Sequence, residues 1–289
     1  MPSRNLRELL SRPGCTVAPG VYDLISARFA ANAGAEVLYM TGYGTVASHL
    51  GLPDAGLASF RDMLDRVSEM ARVAEEYGIP LVADGDTGYG GLLNVDHTVK
   101  SYERAGASAI QLEDQVFPKK CGHTPGRAVI PVEEMAQKIE VACEARTSED
   151  FLIIARTDAR TVDGIDAALE RIAAYDKAGA DILFLESPES IEELERIGSS
   201  FDKPLLANMV EGGSTPVLDR ERLGELGFSL ALFPAIGFLA AGRALDVAYR
   251  TLVKDGRTVS AETLYPFDEF SKLMGFERVW DFDKKHARG

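Results

Sequence analysis

Cysteine is scarce in this chain: Cys15, Cys121 and Cys143 are the only three in 289 residues, and no two form a C-x-x-C pair. So sparse and odd a set excludes a disulfide framework and points to a reducing, cytoplasmic setting. Positive charge is also in deficit, with 31 Lys and Arg against 45 Asp and Glu and a formal net charge of −14. An acidic surface repels nucleic acids and anionic membranes, so neither is an expected partner. A small anionic substrate stays open, because a pocket can be locally basic or hold a cation. No apolar run reaches the ~18 residues of a membrane span, and the opening "MPSRNLRELLSRPG" lacks the apolar core of a signal peptide. Linker-like and low-complexity stretches are missing as well, so residues 1–289 read as one domain.

What is present is globular: 46% hydrophobic and 26% charged residues imply a sizeable core. Eight short apolar runs rich in branched residues suit buried parallel strands. They are Thr16–Gly20, Val37–Gly42, Pro80–Asp86, Ala109–Asp114, Phe151–Thr157, Ile182–Ser187, Pro204–Val210 and Phe228–Pro234. Helical patterns lie between them. One places Phe60, Met63, Leu64, Val67 and Met70 on a single face and ends at Gly78. Strand–helix alternation repeated eight times favours an α/β fold of the (β/α)8 barrel type, with an open doubly wound sheet as the alternative. Residues 245–289 form a helical extension. Its apolar residues, Leu264, Phe267, Phe270, Leu273, Met274 and Trp280, need a surface to cover, which a neighbouring subunit would supply.

In a barrel the chemistry gathers where strands end. Those ends carry Tyr39 and Thr41, then Asp84 and Asp86, Glu113 and Asp114, Arg156 and Asp158, Glu186, and Asn208. Any one of them is explained by solvation of a strand end; so many together are not. "ADGDTGYGG" sets two carboxylates two residues apart ahead of a glycine-rich loop. Oxygen ligands without a histidine or cysteine cluster suit Mg2+ or Mn2+ better than zinc. "FPKKCGHTPG" places Cys121 among Lys119, Lys120 and His123, and positive neighbours favour a thiolate able to exchange protons near neutral pH. A covalent nucleophile is also compatible with these residues. His49 and His97 read as structural.

Taken together, "YMTGYGT", "LGLPDAGLAS", "VADGDTGYGG", "QLEDQVFPKKCGH", "ARTDA", "FLESP" and "NMVEGGSTP" resemble the isocitrate lyase and phosphoenolpyruvate mutase superfamily over nearly the whole chain. "KKCGH" after "EDQ" resembles its carbon–carbon lyase branch, in which a loop cysteine donates or accepts a proton. The resemblance implies a (β/α)8 barrel with its last helix swapped between subunits, in a homotetramer built as a dimer of dimers. It implies Mg2+ held directly by Asp84, with Asp86 and Glu113 acting through water. It further implies a 2-oxo acid carboxylate held by the loop of Thr41, Gly42 and Tyr43, and a substrate gripped by Arg156. Tyr39 would lie near the reacting oxygen, Glu186 and Asn208 on the opposite wall, and Asp54 near the mouth. Lys120, His123 and Arg156 would stabilise charge on the departing fragment, which Cys121 protonates.

The resemblance also narrows the substrate. Methylisocitrate lyases carry "NMTEFG" and an arginine soon after strand eight, whereas this chain has "NMVEGG" and Leu239. The implied reaction is Mg2+-dependent cleavage of a 2-hydroxy dicarboxylate of the 2-alkylmalate or 2,3-dimethylmalate type to a 2-oxo acid and a carboxylic acid. A methylated tricarboxylate remains a possible substrate. The alternatives are oxaloacetate hydrolysis or decarboxylation, and a carboxyphosphonoenolpyruvate mutase-like reaction that should tolerate loss of the thiol.

Overall fold

A computed structural model describes residues 5–122 and 126–287. The first half runs α1 (Leu6–Leu10), β1 (Thr16–Val21), α2 (Leu24–Asn32), β2 (Leu38–Met40), α3 (Gly42–Leu50), α4 (Phe60–Tyr77), β3 (Leu81–Asp84), α5 (Leu92–Arg104), β4 (Ala109–Glu113) and α6 (Val132–Ala145). It continues with β5 (Leu152–Thr157), α7 (Arg160–Asp163), α8 (Ile165–Lys177), β6 (Ile182–Leu185), α9 (Ile191–Gly198), β7 (Leu205–Asn208), α10 (Arg220–Glu225) and β8 (Leu230–Phe233). After these come α11 (Ile236–Asp255), α12 (Phe267–Leu273) and α13 (Phe276–His286). All eight strands are parallel, and β1 pairs with both β2 and β8, so the sheet closes into a (β/α)8 barrel. Closure rules out the open doubly wound sheet.

Strand alternation divides the core in two. Tyr39, Val82, Ala109, Ile154, Phe184, Leu206 and Leu232 share one buried cluster inside the barrel. Leu38, Met40, Leu81, Ala83, Ile110, Leu112, Ile153, Ala155, Leu183 and Ala207 face outward into the layer under the helices. Both faces are thus apolar, as the eight runs require. The α4 stripe behaves as its spacing predicts: Met63, Val67 and Met70 are buried, Phe60 and Leu64 pack against them, and Gly78 ends the helix in the left-handed conformation. Ser59 and Asp62 close its start as a reciprocal capping box.

Most ladders are shorter than the apolar runs. The run Val37–Gly42 pairs only over Leu38–Met40, because Thr41 caps α3 and Gly42 already belongs to it. Pairing after Pro80 stops at Asp84, and Asp86 turns out of the extended region with φ 48°. The opening segment has a role that composition did not reveal. Leu6, Leu9 and Leu10 of α1 join the interior cluster and plug the end where the strands begin. Arg7 anchors the plug through Asp181, at 2.9 Å, and the carbonyl of Glu149. At the other terminus α11, α12 and α13 contain no buried residue, and Phe267, Trp280 and Phe282 are exposed. Tyr265 and Phe270 touch Phe29 of α2, with ring centroids 4.9 and 6.3 Å away. No helix is long and apolar enough to cross a membrane among the described residues.

Candidate active site

At the end of the barrel where the strands finish lies a cavity of about 280 Å³. Because side chains alternate along a strand, the polar residue two positions after an inward apolar one also points inward, but at the rim. Tyr39, Asp84, Glu113, Arg156 and Asn208 reach the cavity in this way, with Glu186 just past β6. Thr41, Gly42, Tyr43, Asp54, Lys120 and Cys121 complete the expected set along its wall. Asp86 is buried next to Asp84, with its N–H on Asp84 Oδ1, and is not among the residues that line the cavity. His123 lies outside the described residues.

Thr41, Gly42 and Tyr43 form the first turn of α3 rather than a loop. The leading N–H groups of a helix have no intrahelical acceptor and favour an anion, so this turn suits a carboxylate. Gly42 is required by close approach: a Cβ there would overlap the Asp84 carboxylate.

Asp84 Oδ1 accepts hydrogen bonds from Asp86 N at 3.1 Å and Gln111 Nε2 at 3.4 Å. Burial pushes the Asp84 carboxyl up, while Lys119 and Arg156 pull it back; burial likewise raises Glu113 well above the usual range. Such shifts mark negative charge that the protein only partly offsets. Glu113 Oε1 is buried without a hydrogen-bond partner. An all-oxygen donor set with an orphaned carboxylate oxygen fits a hard divalent cation. Among the described residues no three acidic, His or Cys side chains converge into a ready chelate.

Lys119 departs from the role its neighbours in sequence suggested. Its ammonium is buried 2.6 Å from Asp54 Oδ1 and 2.6 Å from Asp86 Oδ1. Both contacts are buried ion pairs. Burial works against the Lys119 charge, but Asp86, Glu113, Asp84 and Asp54 outweigh it and hold the ammonium well above its ordinary pKa. The cation therefore ties together the α3–α4 loop and the loops after β3 and β4, and it shares the cavity wall with Cys121. Lys120 Nζ donates to the Gly126 carbonyl at 2.9 Å. Gln115 clasps the same loop, donating to the Lys120 carbonyl at 2.8 Å and accepting from its N–H at 3.0 Å. The Cys121 N–H donates to the Asp54 carbonyl at 3.2 Å, and Ser187 Oγ to the Gly122 carbonyl at 3.1 Å. Gly122 passes so close to Arg156 that a Cβ would strike its guanidinium.

Arg156 is gripped by Asp158 through Nε at 2.9 Å and Nη2 at 3.0 Å, with Glu113 at 3.5 Å and Glu186 at 3.4 Å. Burial opposes its charge, yet Asp158, Glu186 and Glu113 overcome that and keep it protonated. Asp114 sits outside the cavity and positions this side: it accepts from Thr157 Oγ1 at 2.6 Å, Asp158 N at 2.9 Å and the Tyr175 hydroxyl at 2.8 Å. Asn208 Nδ2 donates to Glu186 Oε2 at 3.0 Å. Burial, reinforced by Asp84, pushes the Tyr39 phenol well above 10.0, so it acts as a donor rather than a base. His49 approaches Asp62 at 3.6 Å and His97 packs on Phe60 at 5.0 Å, both away from the cavity.

The remaining arc is apolar. Val210, Pro234, Ala235 and Phe238 line it beside Leu239, with Glu211 at its edge. Only Leu239 was singled out in the sequence. The others stand where β7 and β8 end and α11 begins, and their position after two apolar strands was the available signal.

Residues 6–252 match the family described as phosphoenolpyruvate phosphomutase. The chain is 46% identical to 2,3-dimethylmalate lyase of Eubacterium barkeri over 98% of each chain. It is 41% identical to 2-methylisocitrate lyase of Aeropyrum pernix, covering 99% of this chain and 90% of that one. A solved oxaloacetate acetylhydrolase in complex with 3,3-difluorooxalacetate is 36% identical, superposes with a TM-score of 0.93, and is matched over 99% of this chain and 97% of its own. A barrel of this topology, a cavity of this composition and likeness over nearly full length agree: the chain belongs to the phosphoenolpyruvate mutase/isocitrate lyase superfamily.

Proposed function

We propose that the protein is a Mg2+-dependent carbon–carbon lyase that cleaves a 2-alkylmalate-type 2-hydroxy dicarboxylate to a 2-oxo acid and a carboxylic acid. The observation that carries this reading is the convergence of the Cys121 thiol on one cavity with Asp84, Glu113 and Arg156. Likeness to 2,3-dimethylmalate lyase supports it.

Cleavage of the C2–C3 bond requires the C2 hydroxyl to lose its proton. The C–C electron pair then moves onto C3, beside the second carboxylate, and C3 takes a proton. The first turn of α3 holds the C1 carboxylate, and the Tyr39 phenol donates a hydrogen bond to the C2 oxygen. Arg156 and Lys120 stabilise the charge arriving on the other fragment. Cys121 delivers the proton to C3, and its thiolate is the base in the reverse direction. Asp84, with Asp86 and Glu113 through water, would hold Mg2+, whose Lewis acidity makes the hydroxyl easier to ionise. Lys120, Cys121 and Gly122 line the cavity and would shield the carbanion-like fragment from water.

An NMR screen of malate, 2-alkylmalates, 2,3-dimethylmalate, methylisocitrate, oxaloacetate and phosphonopyruvate tests the assignment. Release of a 2-oxo acid from an alkylmalate, abolished by EDTA and restored by Mg2+, is expected. Turnover of phosphonopyruvate alone would overturn it.

We also propose that the exposed apolar residues of α11 to α13 pack on a second copy in a helix-swapped homotetramer within the cytoplasm. Replacing Phe276 and Trp280 by Asp should lower the molar mass measured by light scattering; an unchanged mass would refute this packing.

A further inference from the structure

We infer that Phe238 is the residue that gauges the size of the substrate's alkyl substituent, an inference that rests on the lyase reading above. The cavity has two unlike halves. Its carboxylates and cations come from β3, β4 and β5, the loops after β4 and β6 and the α3–α4 loop, while Val210, Pro234, Ala235, Phe238 and Leu239 make an apolar arc. No Lys or Arg lies on that arc among the described residues, and Glu211 at its edge would repel a further carboxylate. A dicarboxylate that places both charges in the polar half turns its substituent to the arc.

Phe238 is the largest group there, and it is braced. Its ring stacks on Tyr43 with centroids 5.4 Å apart and planes at 20°, and meets Tyr22 edge-on at 6.2 Å and 81°. Its Cδ1 lies so close to Gly44 that a Cβ on that residue would be 2.9 Å away. Tyr43 and Gly44 belong to α3 and Tyr22 follows β1, so two segments brace the ring beside the cavity. A ring that cannot retreat sets a fixed depth. Leu239 lines the same arc but has no ring to be stacked in this way. One methylene in an apolar pocket changes specificity by about 10–200-fold, which is the range a fixed wall imposes.

The test compares wild type with Phe238→Ala and Phe238→Leu on malate and its 2-methyl, 2-ethyl and 2-propyl derivatives, reading kcat/KM for each. Removing the ring should raise the propyl-to-methyl ratio at least tenfold, with Phe238→Leu intermediate. Thermal shifts with methyl-, ethyl- and propylsuccinate, which cannot be cleaved, provide a parallel reading of binding in the same proteins. Failure of wild type to cleave any alkylmalate while the succinate preference moves with residue 238 would sink the lyase reading and uphold the gauge. Cleavage with unchanged ratios in both variants would overturn the gauge and leave the lyase standing. Phe238→Leu keeps an apolar side chain in the aromatic cluster, so the comparison survives if the alanine variant does not fold.

Discussion

Cys121→Ser should lower kcat by roughly 10²–10⁴-fold, the usual contribution of a positioned general acid, while leaving KM within a few-fold. A serine hydroxyl is nearly the same size as a thiol but a far weaker acid. It fills the site without being able to protonate C3 at a useful rate. Cys121 is held by its backbone, through the N–H to the Asp54 carbonyl, and the next residue by Ser187 Oγ on the Gly122 carbonyl. Neither contact needs sulfur, so the loop should keep its place in the variant, and Asp84 and Glu113 are untouched. Thermal stability and the Mg2+-induced shift should therefore match wild type.

The same variant carries a stereochemical reading. With 2,3-dimethylmalate in D2O, the propionate released by the wild type should gain deuterium at the former C3 from one face only, the face that Cys121 occupies. In Cys121→Ser the residual product should be labelled from both faces, because solvent then supplies the proton. A fully active serine variant, or one that retains single-face labelling at wild-type rate, would refute the proton-delivery role. It would favour a phosphonate-processing reaction that does not use the thiol.

The barrel was legible because its signal is redundant. Eight apolar runs with helical spacing between them each point to the same layer, and period-two alternation carries Val82 to Asp84 and Ile154 to Arg156 on the inner face. The same alternation brings these side chains to one cavity. Lys119 and Lys120 show where such reading stops. They are adjacent in sequence, yet one ammonium is buried between two carboxylates and the other bonds a loop carbonyl at the surface. Nothing local distinguishes them; the difference is made by Asp54 and Asp86, which are 65 and 33 positions away. Phe238 was hidden for a related reason, since its stacking partner Tyr43 lies on α3, at the far end of the chain. The part played by Leu6 and Leu9 becomes legible only once the barrel they plug is known.

Lys119→Met should destabilise the protein and disable it together. Asp54 and Asp86 would keep their burial and lose the cation between them, and breaking a buried ion pair from one side costs roughly 3–5 kcal/mol. For a chain of this size that corresponds to a fall in Tm on the order of 5–10 °C. The loss should depend on pH, with a sign that follows from Asp86. Burial raises its carboxyl from 3.8 to about 6, and Lys119 is the largest influence pulling it back. A carboxyl raised on folding favours the fold below its unfolded pKa, and that contribution is lost as pH rises through the folded value. Without the ammonium the folded value moves higher still, so the window extends above pH 6. In EDTA, the Tm difference between wild type and Lys119→Met should be small near pH 5 and grow towards pH 8. Lys119→Arg keeps the charge and should recover much of the stability. It should recover less of the turnover, because a planar guanidinium cannot reproduce two 2.6 Å contacts at a point charge. Equal stability of wild type and Lys119→Met across this range would mean that the ammonium does not join the three loops. The placement of Lys120, Cys121 and Gly122 would then rest on the Gln115 clasp and on the Asp54 and Ser187 contacts.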